Sequence, residues 1–221
     1  MAPALLWFRR NLRHSDNAAL LAAAEAGDPI IPVYVVDELD AGGASRWWLH
    51  HSVLSLDKEL RKLGSSLLLL SGRPETVLGE LAARSGAGSL FYARRLERAL
   101  GSELQIAALE DGNLNPPNRP MTKSGTPFRV FTPYWRAASA LPEPPRPRRV
   151  PEKLSFAEQV MESRQLEELA LLPTEPDWAE GLRDTWTPGE NGALQRLDDI
   201  GSAATLYADE RDRPDRDSTS R

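Results

Sequence analysis

The chain has 221 residues, 41% hydrophobic and 27% charged, with a formal net charge of −5. That length accommodates one well-packed domain plus further material, and the acidic balance excludes a generally basic nucleic-acid binder. Zero cysteines exclude disulfides, thiolate catalysis and cysteine metal sites, and with only His14, His50 and His51 no histidine metal centre is expected. No apolar run approaches the roughly 18 residues of a membrane span. The start places its apolar residues ahead of its positive charges, the reverse of a signal peptide, so a soluble cytoplasmic protein is expected.

The first ninety-odd positions alternate strand and helix signals. Ala4 to Phe8 is a short continuous apolar run, the pattern of a strand buried on both faces. Ser15 or Asp16 is expected to cap a helix from Ala18 to Ala26, closed by Gly27. Pro29 to Val36 is a second buried strand, rich in β-branched residues. Ser45 opens a longer helix with Leu49, Val53, Leu56, Leu60 and Leu63 at helical spacing, and Gly64 follows it. Ser66 to Leu70 reads as the third strand. Pro74 and Gly86 bracket a third helix, and Ser89 to Tyr92 reads as the fourth strand.

This alternation predicts an α/β fold, a Rossmann-like, doubly wound parallel sheet. Ligands of such sheets sit at the carboxyl ends of strands, after Phe8, Val36, Leu70 and Tyr92. No Gly-x-Gly-x-x-Gly and no phosphate-loop Gly-Lys-Thr/Ser follows any strand, which disfavours ordinary dinucleotide dehydrogenases and nucleotide triphosphatases. Trp7 and Phe8 read as core residues. Arg9, Arg10 and Arg13 stand at a strand's carboxyl end, either as holders of an anionic ligand or as a solvated loop. The aromatics of Trp47-Trp48 are expected to pack on the sheet, and His50 and His51 to lie at the surface.

Beyond Gly112 the organisation changes. Positions 142–151 carry five prolines, an extended connector. Before it, Lys123 to Arg136 is aromatic and basic, too specific for a linker. Ser155 to Leu169 is expected to be helical, with Ser155 and Glu158 at capping-box spacing. Trp178 to Pro188 reads as a loop, and Glu190 to Tyr207 as a helix with Leu194, Leu197, Ile200 and Leu206 roughly on one face. Two local basic patches stand out, Arg146 to Arg149 and the arginines from Arg211 onward. Positions 209–217 set five acids against three arginines, the composition of a solvated mixed-charge segment. The hydroxyl-rich end, Ser218-Thr219-Ser220-Arg221, has the chemistry of half a phosphate site, or of a polar tail.

Three segments together resemble one family. Leu6-Trp7-Phe8-Arg9-Arg10-Asn11-Leu12-Arg13 with Asp16-Asn17 resembles the opening of DNA photolyases and cryptochromes. Lys123 to Arg136 resembles the segment closing that family's amino-terminal domain. Trp186-Thr187-Pro188-Gly189-Glu190, and Arg211 to Pro214 with Thr219 to Arg221, resemble its entry into the flavin-binding domain. The likeness runs through nearly the whole chain in order and is greatest to bacterial class I cyclobutane pyrimidine dimer photolyases.

The resemblance implies an antenna domain over 1–136, a connector with a short helix over 137–189, and the first helix of a helical FAD-binding domain over 190–221. It implies light-dependent repair of UV-damaged DNA by electron transfer from reduced FAD, in a monomer. A cryptochrome photoreceptor and a stand-alone α/β binding domain are the other readings. Carried over by position, Tyr207, Thr219, Ser220 and Arg221 match FAD contacts, and Arg211 matches a DNA contact; beside that, Arg211 can be read as a partner of its acidic neighbours. Arg9, Arg10 and Arg13 would face an antenna chromophore of folate or deazaflavin type. Tyr92 to Arg98 departs from the family pattern, and Leu100 stands near the acidic position some members use for folate, which disfavours that antenna. The interval before Thr122 looks short, so a fifth strand between 110 and 122 is expected to be missing. The sequence stops inside the phosphate tract, so the 221 residues alone are expected not to retain FAD or to act.

Overall fold

The computed structural model describes residues 1–37, 41–93, 105–109, 119–213 and 215. Five parallel strands form one sheet in the order β3-β2-β1-β4-β5: β1 Ala4–Phe8, β2 Ile30–Val36, β3 Leu68–Ser71, β4 Ser89–Ala93 and β5 Gln105–Leu109. β1 is central, paired with β2 from Ala4↔Ile30 to Phe8↔Tyr34 and with β4 from Ala4↔Ser89 to Trp7↔Tyr92. Strand order therefore reverses beside β1, which is where open α/β sheets leave a ligand crevice.

Alternation along β1 assigns its side chains to two layers. Leu6 and Phe8 join Leu20 and Ala23 of α1 (Ala18–Ala26) and Val53, Leu56 and Leu60 of α2 (Gly43–Lys62). Leu5 and Trp7 join Leu78, Leu81 and Ala82 of α3 (Pro74–Ser85) on the opposite face. Both faces of β1 are thus covered, as its unbroken apolar run requires, and the doubly wound expectation holds.

The cap of α1 corrects the sequence reading. Asn17, not Ser15 or Asp16, accepts the Leu20 N–H at 3.1 Å, and its amide donates to the Arg13 carbonyl at 2.9 Å. Ser15 is committed elsewhere, to Glu190. Asp16 sits at φ +46 and clamps the connector: its N–H donates to the Arg148 carbonyl at 2.9 Å and its carboxylate accepts from Arg148 N at 3.0 Å. Asn17 is fully buried. Asn17→Ala should therefore cost about 1–2 kcal/mol, measurable as a lower urea midpoint at unchanged slope.

The outer strand is present. β5 pairs with β4 from Ser89↔Gln105 to Ala93↔Leu109, upstream of the interval in which its loss was expected. An edge strand answers to one neighbour only, so the small Ala107 and Ala108 suffice and give a weak strand signal. Residues 110–118 lie outside the described ones.

The expected helix from Ser155 to Leu169 is also corrected: only a 3-10 turn, Leu166–Leu169, forms there. Ile30 extends beyond the start of β3, and its N–H and C=O pair with Ser155 O at 2.8 Å and Ala157 N at 3.0 Å. Farther on, Arg164 N donates to Leu69 O at 2.8 Å and Leu69 N donates to Ser163 Oγ at 3.0 Å. Leu154, Phe156, Ala157 and Met161 pack against the two core layers. Tertiary pairing wins over local helical spacing, and the connector seals the exposed β3 edge.

Among the described residues, three α-helices follow β5: α4 Phe131–Ala138, α5 Glu180–Thr185 and α6 Glu190–Glu210. The loop expected from Trp178 to Pro188 therefore contains one short helix, entered where Asp177 accepts from Ala179 N at 3.1 Å and pairs with Arg183 at 2.7 Å. On α2, Trp47 is buried as expected, whereas Trp48 turns outward, edge-on to Trp186 at 5.5 Å. His50 is buried rather than at the surface, and burial lowers its pKa against the pull of Glu167, favouring the neutral ring. Among the described residues no helix is long and apolar enough to cross a membrane.

Candidate functional site

The carboxyl ends of β1 and β4 bring together Trp7, Arg9 and Tyr92, while Tyr34 of β2 lies with Phe8 on the other face of the sheet. The Arg9 guanidinium lies 4.4 Å from the Trp7 ring centroid, and Trp7 packs on Tyr92 at 5.5 Å. Burial raises the Tyr34 hydroxyl pKa, and the positive charges of Arg9 and Arg10 act against that rise. Arg9 thus already covers the buried Trp7 ring, and with Arg10 it sets positive charge at the strand end, which favours an anion there. Arg13 differs: its guanidinium donates to the Ser15 carbonyl at 3.2 Å and the Asp16 carbonyl at 2.8 Å, bracing the loop from within.

That loop meets the start of α6 in a cluster the sequence reading did not single out. Glu190 Oε2 accepts from His14 N at 2.8 Å and His14 Nδ1 at 2.5 Å. Glu190 Oε1 accepts from Ser15 N at 3.0 Å and from the Ser15 hydroxyl. The carboxylate is only 9% exposed; burial works against its charge, but these donors prevail and hold its pKa at about 2. Glu190 also opens α6, where the helix's exposed N–H groups favour negative charge. The usable signal was Pro188-Gly189-Glu190, a helix start with an acid in its first turn; its partner, 176 positions away, has no local signature.

The rest of the seam is polar and aromatic. Asn191 Nδ2 donates to Glu59 Oε1 of α2 at 3.0 Å, and the Arg46 guanidinium donates to the Ala170 carbonyl. From this anchor α6 presents Leu194, Leu197, Ile200 and Tyr207 on one exposed face, with Leu206 exposed beside it. Tyr207 is 47% exposed, and Arg211, at the helix's end, lies 3.7 Å from Asp212. Thr219, Ser220 and Arg221 lie outside the described residues, as does Leu100; of Tyr92 to Arg98, only Tyr92 and Ala93 are described. A second exposed apolar surface is α4, where Phe131 and Trp135 stack at 6.1 Å.

Residues 4–152 match the DNA photolyase family. A deoxyribodipyrimidine photo-lyase of Agrobacterium fabrum is 42% identical over 234 residues, spanning 99% of this chain and 49% of its own. Cryptochrome-1 of Arabidopsis thaliana is 29% identical over 167 residues, 67% of this chain and 24% of its own. Among solved structures, a class III photolyase from Agrobacterium tumefaciens superposes with a TM-score of 0.93 at 42% identity, over 100% of this chain and 49% of its own. A Synechocystis cryptochrome shares the fold at a TM-score of 0.78 and 23% identity. The chain spans about half the length, 49%, of the photolyases it matches. The motifs point to class I, whereas the photolyase structure of high identity is class III. A family match over most of the chain and an α/β sheet like the photolyase antenna domain agree with the motifs at β1, α4 and α6: the chain belongs to the DNA photolyase family.

Proposed function

We propose that the protein, as the product of its complete reading frame, is a DNA photolyase that splits cyclobutane pyrimidine dimers in light. The observation that carries this reading is 42% identity to a deoxyribodipyrimidine photo-lyase along essentially the whole chain, against 29% to a plant cryptochrome over two thirds of it. For class, likeness over the whole chain outweighs a few shared motifs and favours class III over class I.

In this reading 1–136 is the antenna domain, 137–189 the connector and 190–221 the entry to the flavin domain. Arg9 and Arg10 face an anionic antenna, of deazaflavin or folate type, at the strand ends, while Arg13 shapes the loop beside them. Tyr207, Thr219, Ser220 and Arg221 line the flavin side; hydroxyls and an arginine suit pyrophosphate oxygens. FAD, when bound and reduced, supplies the electron that opens the dimer. Arg211 contacts a DNA phosphate. Its pairing with Asp212 is exposed and therefore weak, so exchanging that partner for a phosphate costs little. The exposed apolar face of α6 suits cover by the helical part of a photolyase. The protein acts as a cytoplasmic monomer.

The test is blue-light repair of a dimer-containing oligonucleotide by the flavin-loaded protein. Loss of dimers in light and not in darkness is expected; no repair by flavin-loaded protein refutes the reading. Arg211→Gln should weaken DNA binding several-fold across sequences and lower the salt slope by about one.

A further inference from the structure

We propose that His14, Ser15 and Glu190 form a pH-responsive clasp that fixes the start of α6 to the β1–α1 loop and loosens as His14 gives up its proton. Four donors from two adjacent residues converge on one buried carboxylate, and they are the backbone and side chain of each. On the far side, Glu59 and Lys62 of α2 face the same point: Lys62 Nζ lies 2.8 Å from Glu59 Oε1, which also accepts Asn191 Nδ2. Of the loop's other charges, Arg9 lies over the Trp7 ring, Arg10 follows it at the strand end, and Arg13 and Asp16, nearest His14, are committed to loop carbonyls and to Arg148. His14 is thus the one group of the cluster able to change charge near neutrality.

The hydrogen bond to Glu190 raises the His14 pKa above 6.5 in spite of partial burial; Glu59 adds to this and Lys62 opposes it. A raised folded value means the stabilisation is complete below 6.5 and is lost as pH climbs through that value. Glu190 has the opposite sign: its contribution is complete above 4.5 and fades as pH falls toward about 2. The clasp is therefore tightest between about 4.5 and 6.5 and slackens on the alkaline side. Neutral His14 retains its backbone N–H bond, so the change is a loosening and not a release.

The test is an NMR pH titration of the 221-residue chain, following the His14 ring and the Ala193 amide, whose bond to Gly189 O closes the first turn of α6. His14 should titrate above 6.5, and Ala193 protection, corrected for intrinsic exchange, should fall with the same midpoint, about tenfold per unit by which His14 is raised. Glu190→Gln should return His14 to 6.5 or below and make Ala193 protection independent of pH over that range. His14→Gln, which keeps the backbone bond and a neutral donor, should fold and likewise abolish the dependence. A His14 titrating at or below 6.5 in the unaltered chain, or an Ala193 amide indifferent to the His14 midpoint, overturns the proposal.

Discussion

Phe8→Ala should lower stability by about 3–5 kcal/mol, visible as a large drop in urea midpoint with the slope retained. Phe8 is fully buried and closes the carboxyl end of the central strand, opposite Tyr34 of β2. It packs in the layer that holds Leu20 of α1 and Leu56 and Leu60 of α2, so the void cannot be filled from one side alone. Close-packed interiors relax only partly around such a loss, which sets the size of the effect. The next residues are Arg9 and Arg10, so the same substitution should also shift these two arginines at the strand end.

The first four strands and three helices were legible because each is specified locally. Their apolar runs are continuous, and Gly27 and Gly86 at φ +79 and +66 end α1 and α3 as glycines do. What was not legible depends on partners far away. Ser155 and Glu158 carry a helix-start spacing, yet the edge of β2 at Ile30 that β3 leaves open draws Ser155 and Ala157 into an extended bridge. Ser15 and Asp16 are good caps on paper, but Glu190 and Arg148 claim them, and Asn17 takes the role. The same long-range competition hid the clasp: His14 has no neighbour in sequence that marks it, and Glu190 identifies itself only as an acid at a helix start. Of the candidate site, Arg9 and Arg10 were readable from strand-end position alone, whereas Tyr207 and Arg211 rested on likeness to the family.

The junction of connector and α6 gives the other large effect, and its sign distinguishes it from ordinary helix chemistry. In an open helix, Gly→Ala is stabilising by up to about 1 kcal/mol, because alanine loses less backbone freedom. Gly201, in the middle of α6, has nothing near its missing Cβ, and Gly201→Ala should show that gain. Gly192, one turn into the same helix, should show the reverse. A Cβ there would fall onto the Thr187 carbonyl, and backbone cannot swing aside as a side chain can. Gly189 is constrained twice over: it lies at φ +101, and its Cβ would strike the Ser55 side chain of α2. Each of Gly189→Ala and Gly192→Ala should cost about 1–3 kcal/mol, from overpacking and, at Gly189, backbone strain as well. Circular dichroism with thermal unfolding measures both effects and the Gly201 control. Because Glu190 lies between the two glycines, either substitution should also move the carboxylate off His14 and Ser15, returning the His14 titration toward 6.5. A destabilised chain whose His14 still titrates as in the unaltered protein would show that the junction's tight packing and the position of Glu190 are independent.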